Sequence, residues 1–257
     1  MTSRMATSCT SGSMFDPPPD HRTIFAMGGG GFSMEPDNLA LDQYILALTG
    51  KERPKVCFVP TASGDSEEYI ERFHAAIGTL GTEHSHLSLT RYNQPEPHKH
   101  LLDQDVIYVG GGNSFQMLLV WRAHGIDRTL RQAWEQGVIL CGISAGSLCW
   151  FSGSITDSWG RPLRVLSDGL GFLPESHCPH YDGEPERQMI YEESISNGTL
   201  PPGIAVDDSC GVLYRGTQLV ESVCSVPGKR AYRVTADGGQ AKLTPIPTRK
   251  LPPHVTR

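Results

Sequence analysis

The chain of 257 residues has no apolar run long enough to cross a bilayer. Its first residues also lack the basic segment and uninterrupted apolar stretch of a secretory leader, so a reducing cytoplasmic setting is expected. Lysine and arginine form no cluster. The 22 basic residues are outnumbered by 28 acidic ones, and the net charge of −6 is spread over both halves. That distribution argues against a nucleic-acid or anionic-membrane partner. No CxxC pair occurs among the seven cysteines Cys9, Cys57, Cys141, Cys149, Cys178, Cys210 and Cys224. Several lie in apolar strand-like runs, where a thiol behaves as a small hydrophobe, so neither a disulfide framework nor a zinc site is expected. Gly28-Gly-Gly-Gly31 lacks both GxGxxG spacing and a following Lys-Ser/Thr, so no nucleotide is assigned, and no metal or organic cofactor is expected. No repeat appears at solenoid spacing. With 38% hydrophobic and 19% charged residues, wholesale disorder is excluded.

What is present is a series of short apolar runs, each closing on a glycine-rich or turn-rich loop that leads into a helical pattern. Thr23-Ile-Phe-Ala-Met27 runs into Gly28–Gly31 and then a helical stretch from Asn38 to Leu48. Val56-Cys-Phe-Val-Pro60 precedes a helix over Glu67–Leu80, and His84–Leu89 alternates as a third strand. Val106-Ile-Tyr-Val109 leads through Gly110-Gly-Gly-Asn-Ser114 to a helix over Phe115–Ala123, followed by an amphipathic segment from Ile126 to Gln136. The alternation implies an α/β fold: a doubly wound, mostly parallel sheet flanked by helices on both faces. Ligands in such sheets bind beyond the carboxyl ends of the strands, so the loops at Gly28, Gly110 and Gly142 are expected to converge. Beyond residue 150 helical periodicity fades. Ile204-Ala-Val, Cys210–Tyr214, Gln218-Leu-Val and Arg230–Val234 read as short strands forming a C-terminal antiparallel extension. The expected organisation is a flexible tail over 1–20, with Met14 a candidate natural start, one α/β domain over 21–240, and a C-terminal tail over 241–257.

One loop carries chemistry. Gly142-Ile-Ser-Ala-Gly146 follows the buried run Val138-Ile-Leu-Cys141 and precedes Ser147-Leu-Cys-Trp-Phe151, the strand–turn–helix setting of a nucleophile elbow. The glycines leave no Cβ where the turn pinches strand against helix, and Ser144 would project from the carboxyl edge of the sheet. A serine hydroxyl needs a base to take its proton and a third group to orient that base. Of ten histidines, His180 in Ser176-His-Cys-Pro-His-Tyr181 is the candidate, with His177 its local rival. The late His254, where an ordinary α/β-hydrolase would hold its base, lies in a proline-rich tail.

Taken together, Val109-Gly-Gly-Gly-Asn-Ser-Phe115, Gly142-Ile-Ser-Ala-Gly146 and Cys178-Pro-His-Tyr181 resemble the motifs of the dipeptidase E and cyanophycinase-like serine peptidases, over about residues 23–235. The resemblance implies a flavodoxin-like or class I glutamine amidotransferase-like sandwich, with Ser144 as nucleophile and His180 as general base. It implies an oxyanion hole from the N–H of Ala145 and of Gly111 or Gly112; Asn113 beside it is expected to bind substrate and to pin the loop through its side chain. The orienting acid is Glu184 or Asp157 by family spacing, with Glu184 preferred for its nearness to His180. Asp168, Asp207 and Asp208 read as turn residues.

The resemblance also bears on substrate. Dipeptidase E has an arginine two residues after the Gly-Glu pair, where it binds an N-terminal aspartate side chain; here that position is Glu186, which would repel it. Arg187 is the neighbouring cation that a loop shift would bring in. Asp182, Glu184 or Glu186 would instead suit a free α-amino group. The expected activity is hydrolysis of short peptides, dipeptidase- or aminopeptidase-like, with a homodimer left open. The rivals are an amidotransferase-like or esterase activity at the same elbow and a catalytically idle protein that binds a small peptide or metabolite. Amidotransferase relatives carry cysteine at the elbow, which Ser144 disfavours.

Overall fold

The computed structural model describes residues 20–183 and 185–253. The apolar runs become β1 (Thr23–Met27), β2 (Lys55–Val59), β4 (Val106–Val109) and β5 (Ile139–Ile143), and the alternating stretch expected over His84–Leu89 gives the polar edge strand β3 (Glu83–His86). Between and after them come α1 (Gly31–Met34), α2 (Ala40–Ala47), α3 (Glu67–Gly78), α4 (Pro97–Leu102), α5 (Ser114–His124), α6 (Ile126–Glu135) and α7 (Ala145–Leu148). The second half contains β6 (Phe151–Thr156), β7 (Arg164–Leu166), β8 (Leu173–Cys178), α8 (Pro185–Ser196), β9 (Gly203–Val206), β10 (Cys210–Arg215), β11 (Gln218–Cys224), β12 (Ala231–Asp237), β13 (Gln240–Ile246) and β14 (Thr248–Lys250).

The first sheet runs β14-β11-β10-β1-β5-β4-β2-β3, and its five strands from β1 to β3 pair in parallel. Central parallel strands are buried on both faces, so alternate residues feed two cores. Ile24, Ala26, Val59, Ile107, Val109 and Leu140 meet residues of α5, α6 and α7 on one side. Phe25, Met27, Phe58, Tyr108, Cys141 and Ile143 meet Phe32, Leu41, Ile45, Phe73 and Ile77 from α1, α2 and α3 on the other. The doubly wound architecture is as the sequence implies. Cys57, Cys141, Cys149, Cys178, Cys210 and Cys224 are buried free thiols, and Cys9 lies outside the described residues.

The second half departs from expectation in three ways. Strands β10 and β11 do extend the first sheet antiparallel, with β14 at its edge, but the other strands of this half build a second sheet, β13-β12-β9-β8-β6-β7. Its middle strands β6, β8 and β9 are parallel, and β6 and β8 carry so many polar residues that no apolar run marks them. Helix α8 shows no helical stripe because Arg187 and Ser194 share its buried face with Tyr191 and Ile195. The segment expected as a tail from 241 contains β13, paired with β12, and β14, paired with β11; Pro245 and Pro247 disguise it. The expected N-terminal tail lies outside the described residues up to position 19.

Asp42 is a buried carboxyl beneath the first glycine loop. Tyr108 Oη donates to its Oδ1 at 3.1 Å, while its Oδ2 has no partner among the described residues. Burial raises its pKa from 3.8 to about 7, against smaller opposing hydrogen bonds from Tyr108 and the Phe32 backbone. A carboxyl with a raised folded-state pKa costs nothing below its unfolded value, and the cost grows as pH rises through the window from 3.8 to about 7. Asp42→Asn is therefore expected to stabilise the protein at pH 8, by up to about 4 kcal/mol, and not at pH 3.5. Thermal unfolding of both proteins at the two pH values checks this; an equal difference at both would refute it.

Candidate active site

Strand β5 ends in Ser144, whose backbone takes φ 57° and ψ −116° before α7 begins. The strain is held by close approach on either side. A Cβ on Gly142 would lie 2.2 Å from Gly146 O, and one on Gly146 would lie 2.2 Å from Val109 O. No side chain fits at either position. The Ser144 carbonyl accepts from Ser147 N and Leu148 N at 2.9 Å each, while Ser144 N donates to Met27 O at 3.4 Å. From Val138 to Phe151 every residue is buried except Ser144, which is partly exposed.

The glycine loop after β4 stands over this serine. A methyl on Gly111 would lie 3.4 Å from Ser144 Cβ. The N–H of Gly111 is already given to Tyr69 Oη at 3.3 Å, which weakens the expectation that it serves an oxyanion. Those of Gly112 and Ala145 have no protein acceptor among the described residues. Gly112 is fixed in place: its φ is +139°, a Cβ there would strike Ala62 O at 2.2 Å, and Asn113 N donates to the same carbonyl at 2.7 Å. Asn113 caps α5, accepting from Gln116 N at 2.9 Å, and donates through Nδ2 to Ser158 O at 2.9 Å. Both ends of its amide are thus used inside the protein, which matches the expected pinning role and leaves the amide engaged away from substrate.

His180 follows β8, with a left-handed φ of 52°, and its side chain is 20% exposed. Its Nδ1–H donates to Asp208 Oδ1 at 2.6 Å. Burial raises the Asp208 pKa, but the His180 hydrogen bond, the charge of His180 and those of Lys229 and Arg187 more than offset it, holding the carboxyl below its usual range. Asp208 N donates to Asp182 Oδ1 at 2.8 Å, and Asp182 is ion-paired with Lys229, so the turn after His180 and the turn after β9 are clamped together.

This pairing corrects the acid assignment. Asp157 is exposed on the turn after β6, where only its carbonyl is engaged, by Gly160 N at 2.7 Å. Glu184 lies outside the described residues. Asp208, read from sequence as a turn residue, meets His180 because β8 and β9 are parallel neighbours, with Cys178 opposite Ala205 and Tyr181 N bonded to Val206 O at 3.1 Å. The run Ile204-Ala-Val206 was legible as a strand; its neighbour was not. Asp207 faces the other way, accepting from Arg230 N at 3.0 Å, and burial raises its pKa to about 6.

His177 is fully buried, with Nδ1–H donating to Ile204 O at 3.1 Å and Nε2 facing Ser147 Oγ at 3.0 Å. Burial lowers its pKa to about 3, so it is a neutral core imidazole stacked on Phe151, with no path to substrate. Glu186 is ion-paired with Arg161, which leaves it no free role as a ligand for an amino group. Arg187 is buried and donates to Ile155 O at 3.3 Å, so it cannot swing out to replace the missing arginine. Trp150 packs at 0% exposure beside Trp121 and Phe172.

The three expected loops do converge. Met27 O meets Ser144 N, and two residues on, Gly29 O accepts from Ser209 N at 3.1 Å, next to Asp208. Ser144 and the His180–Asp208 pair thus flank one short stretch of chain. Among the described residues, no group of three or more His, Cys, Asp or Glu is arranged to hold a metal ion, and no helix is long and apolar enough to cross a membrane.

A strained serine elbow on a parallel sheet, glycine-loop amides and a histidine–carboxylate pair define a site of the serine-hydrolase kind. The chain belongs to peptidase family S51, whose family model matches residues 24–222, and the family supports a serine-type peptidase. It is 49% identical over 230 residues to the uncharacterized peptidase YgaJ of Bacillus subtilis (strain 168), covering 90% of this chain and 99% of that one. Peptidase E of Shewanella denitrificans is 28% identical over 186 residues, covering 64% of this chain and 73% of the relative. In fold it resembles the crystal structure of a peptidase from an acI-B1 Actinobacterium, with TM-score 0.61, 20% identity, and coverage of 88% and 99%.

Proposed function

We propose that the protein hydrolyses short peptides through an acyl-enzyme on Ser144. His180 Nε2 takes the hydroxyl proton as Oγ attacks the carbonyl carbon, then returns it to the leaving amine; water repeats the sequence to release the acid. Asp208 holds the proton on Nδ1, so that Nε2 keeps its lone pair, and it balances the imidazolium that forms. The unengaged N–H groups of Gly112 and Ala145 suit the developing oxyanion, each contributing about 3 kcal/mol to lowering the barrier. The observation that carries this reading is the His180–Asp208 hydrogen bond at 2.6 Å beside the strained Ser144 turn. In the free protein Ser144 Oγ and His180 Nε2 are not hydrogen-bonded to one another; such contacts often close only when substrate binds.

A dipeptidase or short-exopeptidase range follows from the family resemblance, and Glu186, engaged by Arg161, supplies no cation for an acidic N-terminal side chain. Six buried reduced thiols suit a cytoplasmic location. Treatment with a fluorophosphonate is expected to add one phosphonyl group per chain, mapped to Ser144 by mass spectrometry of peptides. Absence of labelling by several such probes would favour a binding protein without catalysis.

A further inference from the structure

The turn that joins β6 to β7 is moored at both ends to the two halves of the site. At one end Ser158 O accepts from Asn113 Nδ2 at 2.9 Å, and Ser158 Oγ accepts from Phe115 N at 3.2 Å, fixing the turn to the start of α5. That helix begins two residues after Gly112. At the other end Arg161 is ion-paired with Glu186 in the first turn of α8, which begins five residues after His180. The turn therefore links the helix that follows the glycine loop over Ser144 to the helix that follows His180.

Between these moorings stands Trp159, its ring 4.8 Å from that of Phe115 at an angle of 46°. Trp121, Trp134 and Trp150 are 0% exposed, whereas Trp159 is 39% exposed. An indole held in solvent on a hydrogen-bonded turn leaves apolar surface uncovered at the start of α5, just beyond the glycine loop that stands over Ser144. The polar groups around it are already engaged: the Asn113 amide and Ser158 with each other, Thr156 Oγ1 with Ser158 Oγ at 2.8 Å, and Arg161 with Glu186. Asp157, exposed on the same turn, disfavours an acidic side chain.

We propose that Trp159 and Phe115 form the wall of a specificity subsite for a large apolar side chain, aromatic or branched aliphatic, on a residue flanking the scissile bond. This rests on Ser144 being the nucleophile. The test uses the whole protein and the dipeptides Phe-Ala, Ala-Phe and Ala-Ala. At least one phenylalanine peptide is expected to exceed Ala-Ala in kcat/KM by about tenfold or more, the discrimination available from burying a ring against apolar wall. Trp159→Ala is expected to collapse that ratio to about twofold, and Trp159→Phe to restore most of it. An equal loss for all three peptides, or no preference in the wild type, overturns the proposal.

A second readout does not need turnover. In Ser144→Ala, acrylamide quenching of tryptophan fluorescence reports almost wholly on Trp159, because the other three indoles are buried. The preferred phenylalanine dipeptide is expected to halve the quenching constant, with Ala-Ala producing no change. Shielding without hydrolysis by the wild type would sink the peptidase reading and leave the subsite standing. Hydrolysis without shielding would do the reverse.

Discussion

Ser144→Ala is expected to lower kcat for peptide hydrolysis by about a millionfold, to the level set by binding and oxyanion stabilisation alone. The size follows from mechanism: without Oγ no ester forms, and water would have to attack the peptide directly. Folding is expected to survive, because alanine meets the same positive φ that serine already bears, and Gly142 and Gly146 still admit the tight turn. Initial rates by mass spectrometry, beside a thermal unfolding curve, check both points. A folded variant with wild-type turnover would end the serine mechanism.

The second large effect belongs to a residue that local pattern did not single out. Asp208→Asn is expected to reduce kcat by about 10³–10⁴-fold, while leaving KM within a few-fold. An asparagine in that position can present its NH₂ to Nδ1. That arrangement favours the tautomer with the proton on Nε2, which cannot accept one from serine. The same variant removes the negative charge that balances the imidazolium. Asp157→Asn is expected to cost at most a few-fold, since Asp157 is exposed and its carboxylate touches none of the machinery. Comparable losses in the two variants would overturn the assignment of Asp208.

The contrast between these two residues shows what a sequence can display. Ser144 was readable because every constraint on it is local: apolar strand, glycine, serine, glycine, helix, all within a dozen residues. The same holds for Gly110–Gly112 and for β1, β2, β4 and β5 of the first sheet, whose double-sided burial demands unbroken apolar runs. His180 was readable through its short motif. Asp208 was not, because its meeting with His180 depends on β8 and β9 lying side by side in register, a fact about pairing that neither strand carries alone. The second sheet stayed hidden for a related reason. Ser152 and Ser154 in β6, and Glu175 and Ser176 in β8, break up the pattern that marks a buried strand. The fates of Asn113, Glu186 and Arg187 were likewise decided by partners at a distance: Ser158, Arg161 and Ile155.

The hydroxyl of residue 144 is furnished by the eight-stranded layer, whereas the imidazole and its carboxylate come from the six-stranded one. Neither layer owns a working set. The proposed hydrolytic set is therefore shared between the two layers and is complete only where they pack together over a common core.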